Sequence, residues 1–471
     1  MLRELPSVGV LLDQPDVAAH ARGRRRPWVT RVVQRVIDGL RRELAAEPER
    51  GPRTRDELLR EARRRIDREV RRLTGPASRR VVNATGIVVH TNLGRSNWPP
   101  RAIEWAADVA AANSDLEFVL ATNQRGHRGR GVEEKIALLA GAEDALVVNN
   151  NAAAVWLAAR HATRGGRLIL SRGEVVAIGG SFRMHEILSE THCELVEVGT
   201  TNRTSLADYE AALVPGATLM KVHRSNFAMT GFTEEVSVAD LAALARRHGA
   251  RLVYDAGSGA LFPFAELGLP DEPLLADDVA TGADLITCSG DKLLGGCQAG
   301  IILGSRQEIA GLRQHPMRRA FRVDKTTLAA LDAVLTLYLE AEDLPALPTL
   351  EHLARPVSDL EHGAAHLAEA LAAHAPAGWS ARTAVDVARV GGGSFSEAEV
   401  PTRLLLWDAP HPELERVHQL LREGEPAVVA RISQQGLGFD LRSVAPSEYP
   451  LLVAALVAAW QRLVNPIPSE D

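Results

Sequence analysis

Short apolar blocks alternate with stretches that carry apolar residues at helical spacing through the middle of the chain. The blocks predict strands, because each is bounded by polar or small residues. They cover residues 145–148, 167–170, 194–198, 217–222, 251–254 and 284–287. Helices are predicted between them, over residues 131–142, 152–160, 206–213 and 238–248. This alternation predicts an α/β fold in which helices cover both faces of a mainly parallel sheet.

Two flanking regions have patterns of their own. Near the N-terminus, apolar residues recur at helical spacing over residues 29–44 and 57–73, with Pro48, Gly51 and Pro52 between the two stretches. We therefore predict a small helical domain at 1–75, a main domain at 76–343 and a smaller C-terminal α/β domain at 344–471. In the last, helix signals cover 350–374 and 450–464, and strand signals cover 387–390, 428–432 and 438–441. A triple glycine at 391–393 is predicted to be a turn that packs against the main domain.

A β-rich run over residues 81–95 opens the main domain and closes on a polar turn that contains Gly94. Arg95 follows in that turn. It is a candidate anion ligand, because a guanidinium group binds carboxylates and phosphates with two parallel hydrogen bonds. The alternative is an exposed turn arginine.

Composition excludes several classes of protein. No run of eighteen apolar residues exists in a chain that is 46% hydrophobic, so we expect no membrane span. The first residues lack the charged-then-apolar pattern of a signal peptide. Cys193, Cys288 and Cys297 lack metal-binding spacing, so we expect no metal site and a reducing, cytoplasmic location.

The net charge of −6 hides an uneven distribution. Residues 1–80 hold 21 arginines, no lysine and 12 acidic residues, which gives +9, whereas the remainder gives −15. The arginines include a cluster at 22 and 24–26 and a row along residues 60–72. A basic segment of this kind indicates contact with nucleic acid. The alternative is a solvated helix face, since Glu57, Glu61 and Glu69 are interleaved with the arginines.

Lys292 is the first candidate for chemistry. A predicted buried strand ends in small and polar residues, and Lys292 then stands directly before a glycine-rich turn. A lysine beside a desolvated core suits imine chemistry, while a surface lysine in a turn is the alternative. Two other strand ends strengthen the first interpretation. Asp255 closes one predicted strand, and Asn150, Asn151 and Ala152 follow another and open a helix.

These groups together match the needs of pyridoxal 5′-phosphate. That cofactor requires a lysine for the imine, a carboxylate for the ring nitrogen and a helix N-terminus for the phosphate. In parallel sheets, ligands bind at the carboxyl ends of strands, where all three candidates are predicted. The order along the chain, phosphate turn, then Asp255, then Lys292, therefore makes a pyridoxal enzyme a serious hypothesis.

Short motifs throughout the chain carry a family resemblance. They are NATG at 83–86, HTNLGR at 90–95, NNNAAAV at 149–155, SRGE at 171–174, IGGSFR at 178–183, GTTNRT at 199–204, SGDKLLGG at 289–296 and RAFRVDK at 319–325. With the opening LPSV at 5–8, they resemble bacterial selenocysteine synthase, the L-seryl-tRNA(Sec) selenium transferase family, over nearly the whole chain.

The resemblance implies a fold-type I pyridoxal-phosphate transferase with an N-terminal tRNA-binding domain, assembled as a ring of dimers, typically a homodecamer. It implies that serine on tRNA(Sec) becomes selenocysteine by loss of water, through a bound dehydroalanyl-tRNA, followed by selenium addition from selenophosphate. Lys292 would be the imine lysine. Asp291 would be an active-site residue, and Arg95, Arg319 and Arg322 would line the site and handle the selenophosphate anion.

Two features depart from the family pattern. Cys297 stands where members usually have proline, and the loop at 126–131 is a variant of the usual glycine/arginine loop. Two other functions stay open at this point. One is a related pyridoxal lyase that acts on a small amino sugar phosphate without tRNA. The other is an RNA-binding scaffold without catalysis, which the presence of both Lys292 and Asp255 disfavours.

Overall fold

A computed structural model describes residues 4–22, 25–46, 54–178, 182–270, 272–341, 346–395 and 398–465. It divides the chain into two compact units, Met1–Arg80 and Val81–Asp471. Arg24, the loop residues Pro48, Gly51 and Pro52, and residues 179–181 of one family motif lie outside the described residues.

The first unit is helical, as its apolar spacing predicts. Its described helices are α1 (Val8–Leu12), α2 (Pro15–Ala21), α3 (Arg26–Ala46) and α4 (Arg55–Thr74). Val33 and Leu40 of α3 pack with Ile66 of α4 in a small buried core. Thr54 begins α4 with a capping box, in which its hydroxyl accepts from the Glu57 N–H and its own N–H donates to the Glu57 carboxylate.

Many arginines of this unit are paired with acidic side chains. Arg65 contacts Glu43 and Glu61, and Arg72 contacts Glu69. The pairing agrees with the solvated-face alternative. Glu61 is buried, so its pair with Arg65 stays within the unit, whereas a surface pair such as Arg72–Glu69 contributes little to stability and can exchange with another anion. A net positive unit with exchangeable pairs can still bind a polyanion.

The second unit is built on a seven-stranded sheet. Its strands and the minor ones before the C-terminal part are β1 (Val81–Asn83), β2 (Phe118–Val119), β3 (Gln124–Arg125), β4 (Asp144–Val148), β5 (Arg167–Ser171), β6 (Ala177–Ile178), β7 (Phe182–Arg183), β8 (Glu194–Val198), β9 (Thr218–Val222), β10 (Arg251–Gly257), β11 (Leu285–Ser289) and β12 (Gly300–Gly304). The sheet order is β4-β12-β11-β10-β9-β5-β8. Only β12 runs antiparallel to its neighbours, which confirms the mainly parallel sheet.

Helices cover both faces of that sheet. They are α5 (Pro100–Ala111), α6 (Arg130–Ala140), α7 (Asn151–Thr163), α8 (Met184–Ser189), α9 (Leu206–Ala212), α10 (Val238–His248), α11 (Leu275–Ala280), α12 (Arg306–Gln314) and α13 (Lys325–Glu340). Alternate residues of β4 point to opposite faces, as a pleated strand requires. Val147 packs with α5, α6 and α13, whereas Leu146 and Val148 pack with α7 and α12.

The C-terminal part carries a second sheet of four antiparallel strands. The elements are α14 (Pro348–Ala354), α15 (Val357–Ala372), β13 (Ser380–Ala388), β14 (Val400–Asp408), α16 (His411–Glu423), β15 (Ala427–Val429), β16 (Arg431–Ser433), β17 (Gly436–Asp440) and α17 (Tyr449–Val464). The sheet order is β13-β14-β17-β16. The predicted helices at 350–374 and 450–464 correspond to α14, α15 and α17, and the predicted strands at 428–432 and 438–441 correspond to β15, β16 and β17. Strand β14 and helix α16 were not predicted, and the predicted strand at 387–390 overlaps only the end of β13. The antiparallel pairing was not predicted either.

The β-rich prediction for residues 81–95 was wrong beyond its first three residues. Only β1 is a strand there, and it pairs with β15 of the C-terminal part. The chain then turns at Gly86, whose φ is +74°. The Asp440 carboxylate occupies the space in which a Cβ of Gly86 would lie, so only glycine fits at that turn.

The described residues contain no helix long and apolar enough to cross a membrane, and no cluster of three or more potential metal ligands. Cys193, Cys288 and Cys297 are free thiols.

Asp278 of α11 makes the free energy of unfolding depend on pH. Burial, together with Asp277 and Glu272 nearby, raises the pKa of Asp278 to about 7. The folded chain then holds a proton that the unfolded chain has released, so the free energy of unfolding falls as pH rises from the unfolded to the folded pKa. We expect Asp278→Asn to be more stable than the parent at about pH 8 by up to roughly 4 kcal/mol.

Urea unfolding of the two proteins between about pH 5 and pH 8 checks this expectation. The difference in unfolding free energy should shrink as the pH falls. Asp108→Asn, at an exposed aspartate on α5, is the matched control and should show no such trend. Parallel stability curves for Asp278→Asn and the parent would contradict the prediction.

Candidate active site

One cavity lies at the carboxyl edge of the main sheet. The strands β9, β10 and β11 end there, and α7 begins there, because strands that run the same way finish at the same edge. The cavity has a volume of about 320 Å³, enough for a small cofactor. It is lined by Thr91, Arg95, Asn150, Asn151, Ala152, Val222, His223, Ser225, Asp255, Gly257, Ser289, Asp291, Lys292, Gln298 and Ala299.

Lys292 enters the cavity from the turn after β11. Its carbonyl oxygen accepts from the Ser96 hydroxyl at 2.7 Å and from the Gly295 N–H at 3.0 Å. The side chain is 5% exposed, and burial lowers the pKa of the amine. A lowered pKa increases the fraction of neutral amine, which is the nucleophilic form.

Arg95 and Asp291 form an ion pair beside Lys292. One guanidinium nitrogen of Arg95 lies 3.0 and 3.1 Å from the two carboxylate oxygens of Asp291. Arg95 has φ of +64°, in the left-handed region, and its N–H donates to the His90 carbonyl. The turn therefore directs this arginine to the cavity instead of the surface, against the exposed-turn alternative.

Asp255 is held at the base of the cavity by two donors. The Asn151 amide and the Thr287 hydroxyl donate to Oδ1 of Asp255, at 2.9 and 3.0 Å. No donor within the described part of the chain reaches Oδ2. Burial raises the pKa of the Asp255 carboxyl, while these donors and Lys292 favour its ionised form. A cationic ring nitrogen at Oδ2 would favour that form further.

The first turn of α7 supplies an anion site. The Asn150 side chain caps the helix by accepting from the Ala153 N–H at 2.9 Å. Ala152 presents only a methyl group to the cavity, which leaves room near the helix N-terminus, where the dipole attracts an anion. Oδ1 of Asn151 is buried and has no partner among the described residues, so the side of the cavity near α7 can accept another donor.

The residues present fit pyridoxal phosphate. A buried lysine, a carboxylate with one oxygen left open and a helix N-terminus border a single cavity of suitable size. Lys292 would hold the aldehyde carbon, Asp255 the ring nitrogen and the start of α7 the phosphate.

Arg319 and Arg322 lie elsewhere in the subunit. They line a separate cavity of about 780 Å³, bordered by Glu117, Arg125, Gly126, His127, Arg128, Arg313, His315, Pro316, Arg318, Arg319 and Arg322. The sequence prediction grouped them with Lys292, and the fold of one chain does not bring them into the Lys292 cavity. The variant loop at 126–131 contributes His127 and Arg128 to this arginine cavity, where Arg128 also bonds the Val323 carbonyl.

Several side chains of the Lys292 cavity were not anticipated. His223 and Ser225 follow β9, and the rule that ligands bind at strand ends would have found them. Thr287 ends the strand predicted at 284–287, so the same rule would have found it. Ser96 and Gln298 carry no comparable signal, because only the folded chain brings them to the site. Cys297 lies behind the turn, where its thiol donates to the Thr327 carbonyl, so this departure does not enter the cavity.

A protein-family comparison matches residues 81–445 to the model described as "SelA: L-seryl-tRNA selenium transferase". The chain belongs to this family. The curated L-seryl-tRNA(Sec) selenium transferase of Solidesulfovibrio magneticus is 45% identical over 98% of both chains. That of Carboxydothermus hydrogenoformans is 40% identical over 95% of both. The selenium transferase resemblance inferred from short motifs is therefore confirmed.

The fold of this selenium transferase family member is also found in a solved structure. A D-glucosaminate-6-phosphate ammonia-lyase covers 82% of this chain and 97% of its own, with a TM-score of 0.58 and 23% identity. At that identity the likeness concerns the fold alone. The architecture is that of the fold-type I pyridoxal-phosphate enzymes, which confirms the fold class predicted from the sequence.

Proposed function

We propose that this chain converts L-seryl-tRNA(Sec) to L-selenocysteinyl-tRNA(Sec), with pyridoxal phosphate as cofactor and selenophosphate as selenium donor. The carrying observation is the convergence of Lys292, Asp255 and the start of α7 on one cavity, in a chain of the selenium transferase family. The reaction removes the serine hydroxyl as water and then adds selenium at the β-carbon.

Lys292 and Asp255 carry the first half of the reaction. When bound, the cofactor supplies an electron sink for negative charge on the carbon beside the substrate amine. Lys292 binds the cofactor and, once released, moves the proton of that carbon through Nζ. Asp255 keeps the ring nitrogen protonated, and Asn151 and Thr287 hold its carboxylate in place. Asn150, Asn151 and Ala152 bind the phosphate group at the start of α7.

Arginines serve the second half of the reaction, in which the selenophosphate anion must bind in a buried site. Arg95 lies at the rim of the Lys292 cavity and is oriented by Asp291. Arg319 and Arg322 are proposed to bind selenophosphate from the arginine cavity. Since one subunit keeps the two cavities apart, this role requires a homo-oligomer. We propose the ring of dimers, a homodecamer, that the resemblance implies.

The first domain, residues 1–75, is proposed to bind tRNA. Arg60, Arg64, Arg68 and Arg71 are exposed and recur at helical spacing, so they form one basic stripe along α4. Such a stripe can track a phosphate backbone. The remaining boundaries, 76–343 for the cofactor domain and 344–471 for the C-terminal domain, and a cytoplasmic location are part of the same proposal.

Removal of residues 1–75 is expected to abolish tRNA(Sec) binding, while the cofactor stays bound. Each lost phosphate contact costs affinity and lowers the salt dependence of binding. The variant Arg60→Glu/Arg68→Glu should weaken binding of tRNA(Sec) by about tenfold or more and flatten the dependence on salt. Filter binding or anisotropy over a salt series measures both effects.

The matched control reverses two exposed arginines of the second unit, Arg247 and Arg382, to glutamate. It makes the same change in net charge and should leave tRNA affinity nearly unchanged. If both double variants lose affinity equally, overall charge is responsible and the stripe has no specific role. Full affinity after removal of residues 1–75 would refute the proposed domain function.

The enzyme assay separates the rival functions. Purified protein with seryl-tRNA(Sec) and selenophosphate should yield selenocysteinyl-tRNA, whereas an amino sugar phosphate alone should yield no ammonia. Release of ammonia from the sugar, without tRNA turnover, would favour the lyase. Binding of tRNA without either enzymatic activity would favour the non-catalytic RNA-binding scaffold.

A further inference from the structure

The glycine turn at residues 391–393 of the C-terminal part packs directly onto the active-site lysine. Neighbouring backbone holds it there, since the Val89 N–H donates to the Val390 carbonyl at 2.6 Å. A Cβ on Gly391 would collide with the Val89 carbonyl oxygen, and one on Gly392 would lie 3.2 Å from the Thr91 hydroxyl. A Cβ on Gly393 would lie 2.5 Å from Nζ of Lys292 and 2.9 Å from Cε.

Two separate structural features require glycine at position 393. Its φ of +82° lies in the left-handed region, which any L side chain adopts with strain. The lysine amine also occupies the space that a side chain would need. The two reasons can be separated experimentally, because Gly378 has a similar φ of +88° with nothing within 4 Å of its hypothetical Cβ.

The end of the Lys292 side chain rests against this bare backbone. Nζ makes no hydrogen bond or ion pair with any residue that the structure describes. The lysine backbone, by contrast, is fixed by Ser96 and by its own turn. The position of the amine is thus set by packing, with Gly393 on one side and the cavity on the other.

We propose that Gly393 is a positioning residue that provides the resting place of the Lys292 amine whenever that amine is not bonded to the cofactor. The inference rests on the proposed function, in which the substrate amine takes the place of Lys292. In that exchange a C=N bond forms between the substrate nitrogen and the aldehyde carbon, and the C=N bond to Nζ breaks. Both protons of the incoming neutral amine pass to Nζ, which leaves as a neutral amine.

A neutral Lys292 amine is compatible with the uncharged backbone at Gly393. It requires no counterion, and burial lowers the pKa of Lys292. At rest beside Gly393, Nζ stays at the edge of the cavity, within reach of the proton that it must move. The role predicts a direction of effect. A methyl group at position 393 should destabilise the released lysine relative to the bonded one, so release should become slower.

The experiment uses full-length, cofactor-loaded protein and hydroxylamine as the incoming amine. Loss of the visible absorption band of the lysine–cofactor bond reports release of Nζ. We expect Gly393→Ala to slow this loss by about tenfold or more, since a methyl group forced into a filled space is commonly this unfavourable. Gly378→Ala should release the cofactor at the parental rate, although it carries the same backbone strain.

The direction distinguishes positioning from general damage. Loosened packing would speed release of the cofactor, so parental or faster release in a folded Gly393→Ala overturns the proposal. Equal slowing in Gly378→Ala would assign the effect to backbone strain and also overturn it. A parent protein without any visible band would instead remove the cofactor assignment, which is a different failure.

A second variant covers the case in which Gly393→Ala does not fold while Gly378→Ala does. The double variant G393A/K292A removes the amine that the new methyl group would meet. Recovery of cooperative thermal unfolding in the double variant would support the contact between Nζ and position 393. If folding is not recovered, the conflict lies elsewhere and the proposal fails.

Discussion

Lys292→Ala is expected to abolish both the visible absorption of bound pyridoxal phosphate and the formation of selenocysteinyl-tRNA. Nζ of Lys292 is the only lysine amine that lines the described part of the cavity, so no neighbour can replace it. Loss of both the covalent link and the proton carrier should lower turnover by at least about 10³-fold. Absorbance spectra and an assay with seryl-tRNA(Sec) measure the two effects.

The fold should survive this change, because the Lys292 backbone is held by Ser96 and Gly295 and its amine makes no ion pair with any described residue. Lys135→Ala is a suitable control. Lys135 contacts Asp332 and Thr336 on α13, away from the cavity, and its loss should leave the absorption band intact. Retention of the band and of turnover in Lys292→Ala would remove Lys292 from its proposed role.

Asp255→Asn is expected to keep the cofactor bound but to lower turnover by about 10³-fold, which corresponds to about 4 kcal/mol. A neutral amide cannot stabilise a proton on the ring nitrogen, so the ring becomes a poor electron sink. The loss should appear in kcat more than in KM, because the negative charge to be absorbed develops in the transition state. Steady-state kinetics with seryl-tRNA(Sec) measures both constants.

The control makes the same change at another buried carboxyl of the same domain. Asp278→Asn replaces a side chain that is equally buried but does not line the cavity. It should keep parental turnover while changing the pH dependence of stability. Equal losses of turnover in the two variants would indicate a general effect of buried charge and would contradict the specific role of Asp255.

Local pattern was sufficient for most elements of the main sheet. The run that became β8 and the apolar spacing that became α10 were predicted with the bounds that the structure gives them. Strand β12 escaped prediction because its apolar run spans only residues 301–303, between two glycines and close to the glycine-rich turn. The run at 81–95 was misread because its β-branched residues pair with distant segments across a turn at Gly86.

For the active site, too, some features could be predicted from local sequence and others could not. Lys292, Asp255 and Asn150 each end or follow a strand, and strand ends of a parallel sheet converge, so their grouping could be inferred from the sequence. Short motifs also identified the family, because each motif places particular residue types at fixed spacing. Arg319 and Arg322 show the limit of this inference, since a motif does not say on which side of a subunit its residues lie.

The sequence by itself thus determined the α/β class, the helical character of the first unit, the family and the grouping of Lys292, Asp255 and Asn150 at strand ends, because these depend on local periodicity and on short motifs. Only the tertiary structure decided that the arginine cavity is separate from the Lys292 cavity and that β1 pairs with β15. It alone placed Gly393 against the amine of Lys292. Such contacts join segments far apart in the chain, and their geometry depends on packing that no local pattern records.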